Sequence, residues 1–309
     1  MSHGKFAKAG NIAASIRQRL LNRARNDKRP FNELLQYYAM ERFLYRLSQS
    51  GHANCFILKG ALLLSVWLSP QASTQFRPTM DIDMLGRTSN EEDSIIAQIK
   101  DIISIETELD GLNFDPNSIR ADRITEDADY KGIRVRFTGG LDNARVHMQI
   151  DIGFGDIVYP GPVESELPTL LDSPALKLLC YSRESAIAEK FEAMLKLGEL
   201  NSRMKDFFDI WLLSRQFDFV GNDLAEAIRL TLEHRGTELP EEIVAFTRVF
   251  IDAKQVQWSA FHKRLVQDYA PADFGEVVAV VETFLGPIAS VLVNGKKAPH
   301  HWSASGPWV

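Results

Sequence analysis

Between Met80 and Leu85 apolar and charged side chains alternate without a break, with Met80, Ile82 and Met84 on one side and Asp81 and Asp83 on the other. A period of two is a strand, because successive side chains of an extended chain point to opposite faces. The pattern therefore gives two carboxylates a single face, with Met80, Ile82 and Met84 expected to bury the other. Carboxylates so placed reach one or two hard cations, and Mg²⁺ typically takes one or two of them together with phosphate oxygens and water. Asp-x-Asp alone is a weak signal. A second copy, Asp127 and Asp129, falls in the polar stretch Thr125 to Lys131, which lacks alternation and reads as a solvated loop.

The segment before the carboxylate strand suits the same chemistry. Cys55 to Leu58 reads as a short strand, Lys59-Gly60 as a turn, and Ala61 to Leu68 as the start of a helix. Glycine at such a junction lets the backbone approach a phosphate, and the N–H groups that open a helix favour an anion. Lys-Gly after a strand is by itself an ordinary turn; joined to Asp81 and Asp83 it makes a phosphate-plus-metal site of Lys59, Gly60 and Ala61. Transfer with two metal ions needs a third acid. Two alternating runs, Gly132 to Thr138 and Arg145 to Ile152, are joined through Gly139 to Asn143 and predict a β-hairpin. In the second run Val146, Met148, Ile150 and Ile152 share one face, which places Asp151 on the polar one. Asp151 is the candidate third acid, with Asp156 as the fallback and a solvent-facing strand-end carboxylate as the alternative.

The remaining pattern is mostly helical. Apolar residues at helix spacing predict one helix ending at Pro30, a second ending near Ser50-Gly51, and another over Asn90 to Leu109. From Ser173 to near Leu285 the chain reads as helix throughout. Pro160-Gly161-Pro162 is the clearest break. The expected organisation is α+β, with amino-terminal helices and a core of small mixed sheet over residues 1–160, then a mainly helical domain over 161–309. The tail from Asn294 reads as a loose terminus.

Composition narrows the partners. The formal net charge of −6 argues against indiscriminate coating of nucleic acid. Up to Ser50, however, ten Lys or Arg stand against three acids, so the amino-terminal helices are either a solvated face or a local contact for phosphates. Cys55 and Cys180 lie far apart and offer neither a disulfide framework nor a zinc site. The strongest apolar run, Phe56 to Leu68, is interrupted by Lys59 and too short to cross a bilayer. The expectation is a cytoplasmic protein with no membrane partner.

Several motifs in this order resemble the AbiEii toxin family, the polymerase-β-like nucleotidyltransferase half of type IV toxin–antitoxin and abortive-infection systems. They are Met40 to Ser48, Phe56 to Gly60, Arg77 to Asp83, Glu189-Lys190-Phe191 and Arg203 to Asp209, spanning most of the first two-thirds of the chain. The resemblance implies a polymerase-β-like core, with Asp81, Asp83 and Asp151 as metal ligands and Mg²⁺ as cofactor. It implies Lys59 and Lys190 on the triphosphate of a bound NTP, and Asp206 as a catalytic-site residue contributed with Lys190 by the helical domain. On helix pattern alone Lys190 is a surface lysine, and Arg203 forms an intrahelical ion pair with Asp206 or Asp209. Gly60 is followed by Ala61 where the family has Gly or Ser; the backbone N–H survives and a hydroxyl contact is lost. Thr79 matches a position phosphorylated in some relatives, and Arg77 binds phosphate or pairs with an acid. The implied activity is transfer of NMP from NTP to the 3′ end of tRNA or another RNA, with growth arrest relieved by a separate cognate antitoxin protein. The alternatives are a nucleotidyltransferase acting on a protein or small-molecule hydroxyl, and a non-catalytic nucleotide-binding regulator.

Overall fold

The computed structural model describes residues 3–68, 79–107, 110–126, 130–265, 270–295 and 297–309. Arg77, Asp127 and Asp129 lie outside them. Two compact units result, one from the described parts of Met1–Trp67, Pro78–Gly155 and Glu164–Cys180, the other built on Asp156–Val163 and Tyr181–Val309.

The first unit is a mixed sheet with helices on its apolar face. Its elements are α1 (His3–Asn26), α2 (Phe31–Gln49), β1 (Phe56–Lys59), α3 (Leu63–Trp67), β2 (Ile82–Gly86), α4 (Glu92–Ile103), β3 (Leu112–Glu126), β4 (Tyr130–Leu141), β5 (Ala144–Phe154), β6 (Val163–Leu167) and β7 (Leu176–Cys180). The strand order is β3-β4-β5-β2-β1-β7-β6. β2 runs antiparallel to β1 and parallel to β5, and β7 runs parallel to β1. The expected hairpin is β4–β5, closed by the two residues Asp142-Asn143, with Asp142 at φ 53°. Asp and Asn tolerate that left-handed conformation, which matches the twist of a two-residue turn.

Burial follows the alternation. Val146, Met148, Ile150 and Ile152 on β5 are buried, as are Ile82 and Met84 on β2. α2 packs over this face, its Phe43 ring 5.7 Å from that of Phe137 on β4. Met80 departs from expectation: β2 begins at Ile82, so Met80 precedes the pleat and is 53% exposed. α2 also carries charges into the interior. Arg46 is bonded to Asp110 at 2.6 Å, Arg42 to Glu41 at 2.9 Å, and the Leu170 N–H donates to Glu41 at 2.6 Å. Burial raises the Glu41 carboxyl above its ordinary pKa although the Leu170 N–H and Arg42 pull it down. Arg42 and Arg46 therefore serve the core and are withdrawn from the basic amino-terminal surface.

Three expectations for this unit change. The stretch 112–126 is strand β3, and Thr125 is paired with Lys131, so both ends of the expected loop are strand. Leu176–Cys180 is strand β7, where helix was expected from Ser173. A short apolar run does not distinguish the two, and β1 supplies a parallel edge that the local pattern cannot show. The helix after Gly60 begins at Leu63 and has one turn.

The second unit is helical: α5 (Arg183–Leu197), α6 (Met204–Gln216), β8 (Phe219–Val220), α7 (Gly221–Arg235), α8 (Arg248–His262), α9 (Phe274–Asn294) and β9 (His301–Trp302). Among the described residues α9 is the one helix long and apolar enough to cross a membrane, a longer run than Phe56 to Leu68. Its Phe274, Val277, Val281, Phe284 and Ile288 are buried, and it packs against α6, α7 and α8 as the core helix of this unit. The tail is not loose. β9 pairs with β8, the Trp302 indole N–H donates to the Ser214 carbonyl at 2.7 Å, and the Trp308 ring stacks on Phe284 at 5.6 Å. Buried aromatic surface offsets the ordering cost that a polar tail would not recover. Trp302→Ala should lower the unfolding free energy by about 3 kcal/mol or more in urea titration; a loss under about 1 kcal/mol would show the tail to be dispensable.

Candidate active site

Register builds the site in the first unit. Lys59 on β1 is the direct partner of Asp83 on β2, Asp83 is the partner of Asp151 on β5, and Asp151 is the partner of Arg134 on β4. Cross-strand partners share a face, so one row across four strands reads Lys59, Asp83, Asp151, Arg134. Asp81, one residue before β2, joins it: ligand oxygens of Asp81, Asp83 and Asp151 all lie within 4.8 Å of one another, and all three residues are half-buried. Oxygen donors so gathered fit a hard divalent cation, and without one the three negative charges oppose each other.

The surroundings temper that repulsion. Arg134 grips Asp151 with Nε to Oδ1 at 2.7 Å and Nη2 to Oδ2 at 2.6 Å, the planar fork that a guanidinium makes with a carboxylate. The Thr79 hydroxyl, 6% exposed, donates to Asp81 Oδ1 at 2.7 Å. Arg134 is the residue that sequence reading missed. Its signal was available, because a two-residue turn at Asp142-Asn143 sets position 134 opposite 151.

Gly60 is required twice over. Its φ of +76° favours glycine, and a Cβ there would stand 2.0 Å from Asp83 Oδ2. The close approach that sequence reading assigned to a phosphate is thus first an approach to the carboxylate. Ala61 follows and is buried.

The second unit holds the other expected residues. Lys190 on α5 meets Asp209 Oδ2 at 2.8 Å and Asp206 Oδ1 at 3.3 Å, and Arg203 Nε meets Asp206 Oδ2 at 2.7 Å. Both aspartates are 1% exposed and Lys190 is 16% exposed, so this is a buried network and the surface-lysine alternative does not hold. The Arg203–Asp206 pair does form, alongside the lysine contact. Asp156 belongs to a different cluster: Arg235 bonds Asp156 at 2.9 Å, Glu192 at 2.9 Å and Glu189 at 3.3 Å. Burial pulls the Arg235 pKa down, but Glu189, Asp156 and Glu192 outweigh it and raise it overall.

Two measurements follow. Gly60→Ala should fold yet bind Mn²⁺ about 10–100-fold more weakly by calorimetric titration, since the carboxylate it displaces is a candidate ligand; unchanged affinity would show that the close approach positions nothing. Lys190→Met removes a cation from two buried carboxylates and should cost about 3 kcal/mol or more in urea unfolding, where a merely solvated lysine would cost under about 0.5 kcal/mol.

Comparison with known proteins gives the family. The family model described as nucleotidyl transferase AbiEii toxin, type IV TA system, matches residues 42–280. Among solved structures, the matches include a candidate nucleotidyltransferase from H. pylori at 14% identity and TM-score 0.47, covering 85% of this chain and 97% of that one. The nucleotidyltransferase toxin MenT4 of Mycobacterium tuberculosis H37Rv gives 16% identity and TM-score 0.45, covering 91% and 98%. JHP933 from Helicobacter pylori gives 13% identity and TM-score 0.44, covering 86% and 98%. No curated protein sequence matches significantly. The fold is a mixed sheet with flanking helices, and the chain belongs to the AbiEii family of nucleotidyltransferase toxins of type IV toxin–antitoxin systems.

Proposed function

We propose that this cytoplasmic protein transfers a nucleoside monophosphate from an NTP to the 3′ end of tRNA or another RNA with Mg²⁺, arresting growth until a cognate antitoxin protein intervenes. The observation that carries the reading is the gathering of Asp81, Asp83 and Asp151 beside Lys59 in a chain of this family. In this scheme the three aspartates hold Mg²⁺, which supplies charge neutralisation for the leaving pyrophosphate and activation of the attacking hydroxyl. The acceptor oxygen bonds to the α-phosphorus, the bond from that phosphorus to the bridging oxygen breaks, pyrophosphate departs, and the hydroxyl proton passes to solvent.

The protein's own share is placement and charge. Gly60 leaves Asp83 room, and the Ala61 N–H remains for a phosphate oxygen. Lys59 offsets triphosphate charge, and Lys190, its amine restrained by Asp206 and Asp209, is a second candidate for that role. Thr79 is the proposed point of control. Its hydroxyl donates to Asp81, and a phosphate in its place would replace that donor with negative charge beside three carboxylates.

Incubation with each labelled NTP, Mg²⁺ and deacylated tRNA tests the proposal. Label should enter RNA, and Asp81→Asn should reduce it by more than the roughly 10–100-fold lost with a supporting residue. Label in protein or a small molecule, with none in RNA, would move the acceptor to those classes. No transfer, together with growth arrest unaffected by Asp81→Asn, would make the protein a nucleotide-binding regulator.

A further inference from the structure

The polar face of the sheet continues past the carboxylates. On β5, Arg145, His147 and Gln149 alternate onto the side that carries Asp151. β4 and β3 extend the rows: Arg136 is the partner of Gln149 and of Arg120, His147 the partner of Thr138, and Arg145 the partner of Gly140. Arg120, Arg136, Arg145 and His147 are all exposed on this one face.

Their arrangement differs from an ordinary solvated surface. None of the four has a carboxylate as its cross-strand partner. Arg120 and Arg136 face each other directly, a pairing that like charge makes unfavourable until an anion joins it. Asp122, one row nearer Asp151, reaches Arg136 at 2.8 Å and balances only that residue. Thr138 and Gly140, opposite His147 and Arg145, are small and leave the surface above β4 open. Alternate residues of a strand are about 6.7 Å apart, so the strip runs about 20 Å from Asp151 to Arg145. That length suits several phosphates of an extended strand better than one nucleotide. The amino-terminal helices offer less, because Arg19 and Arg23 are paired with Asp172 and Asp27, and Arg42 and Arg46 are buried.

We infer that this strip on β3, β4 and β5 is the acceptor surface, where the single-stranded 3′ end of an RNA lies with its phosphates on Arg120, Arg136 and Arg145 and its terminal hydroxyl toward Asp151. Guanidinium forks grip phosphate without regard to sequence, and the His147 ring offers a base a stacking partner. The inference rests on the RNA acceptor proposed above.

Fluorescence anisotropy with a labelled single-stranded oligoribonucleotide and a labelled tRNA transcript, without NTP, tests it. The triple variant Arg120→Gln, Arg136→Gln, Arg145→Gln should bind both RNAs more weakly and lower the slope of log affinity against log salt by about 2, at roughly 0.7 per lost single-strand phosphate contact. The single variant Arg145→Gln should lower it by about 0.7. A charge-matched triple at the end of α1 and in the turn after it, Arg23→Gln, Arg25→Gln, Lys28→Gln, should leave the slope unchanged, and all variants should keep wild-type Mn²⁺ binding. Equal slopes for wild type and strip variants, an equal fall for the α1 triple, or no RNA binding by the wild type would overturn the inference. So would loss of antitoxin binding, in place of RNA binding, from the strip variants. The two readings fail separately: transfer to RNA with unchanged binding slopes removes only the strip, whereas label confined to protein or small molecules removes the RNA acceptor itself.

Discussion

The first unit is organised around a repulsion. Three carboxylates within 4.8 Å of one another are unfavourable in any fold, and they stay together because the strands beneath them cannot separate. Ile82, Met84, Ile150 and Ile152 are buried on the opposite face of β2 and β5, under α2. Burying those side chains is worth about 1.5–3 kcal/mol each, and it holds Asp83 beside Asp151 at the spacing of neighbouring strands. Lys59 and Arg134 flank the acids on either side and offset part of the charge. The sheet thus stores a demand for a cation, a demand that its own side chains meet only in part.

In the helical unit the same problem is met by pairing within a dry interior. Glu189 and Lys190 are neighbours on α5 but belong to different networks, Glu189 with Arg235 and Tyr181, and Lys190 with Asp206 and Asp209. Buried ions are expensive unless each has partners, and in both clusters one cation serves at least two acids. The three acids around Arg235 raise its pKa, and the contacts with Asp206 and Asp209 fix where the lysine amine stands.

Much of this was legible from local pattern. Alternation identified β2 and the β4–β5 hairpin, helix spacing identified α2 and α4, though α4 ends at Ile103 and not at Leu109, and the acids named from strand period are the ones brought together. β3 and β7 were missed for one reason. β3 carries charges along much of its length and β7 is a five-residue apolar run, and each is a strand because a neighbour supplies hydrogen-bond partners. Trp302 and Trp308 were read as part of a loose tail because nothing within the tail reveals the aromatic cluster around Phe284 that receives them.

The opening feature, the pair Asp81 and Asp83, marks the division. By itself the sequence determined that the two carboxylates share a face, because strand geometry leaves alternate side chains no other choice. It also determined that a glycine follows Lys59. Only the tertiary structure decided that Asp83 would stand between Lys59 and Asp151, and that Gly60 is glycine because of Asp83. Those are matters of register between strands distant in the chain, and register is set where buried faces meet, a choice no single segment can make alone.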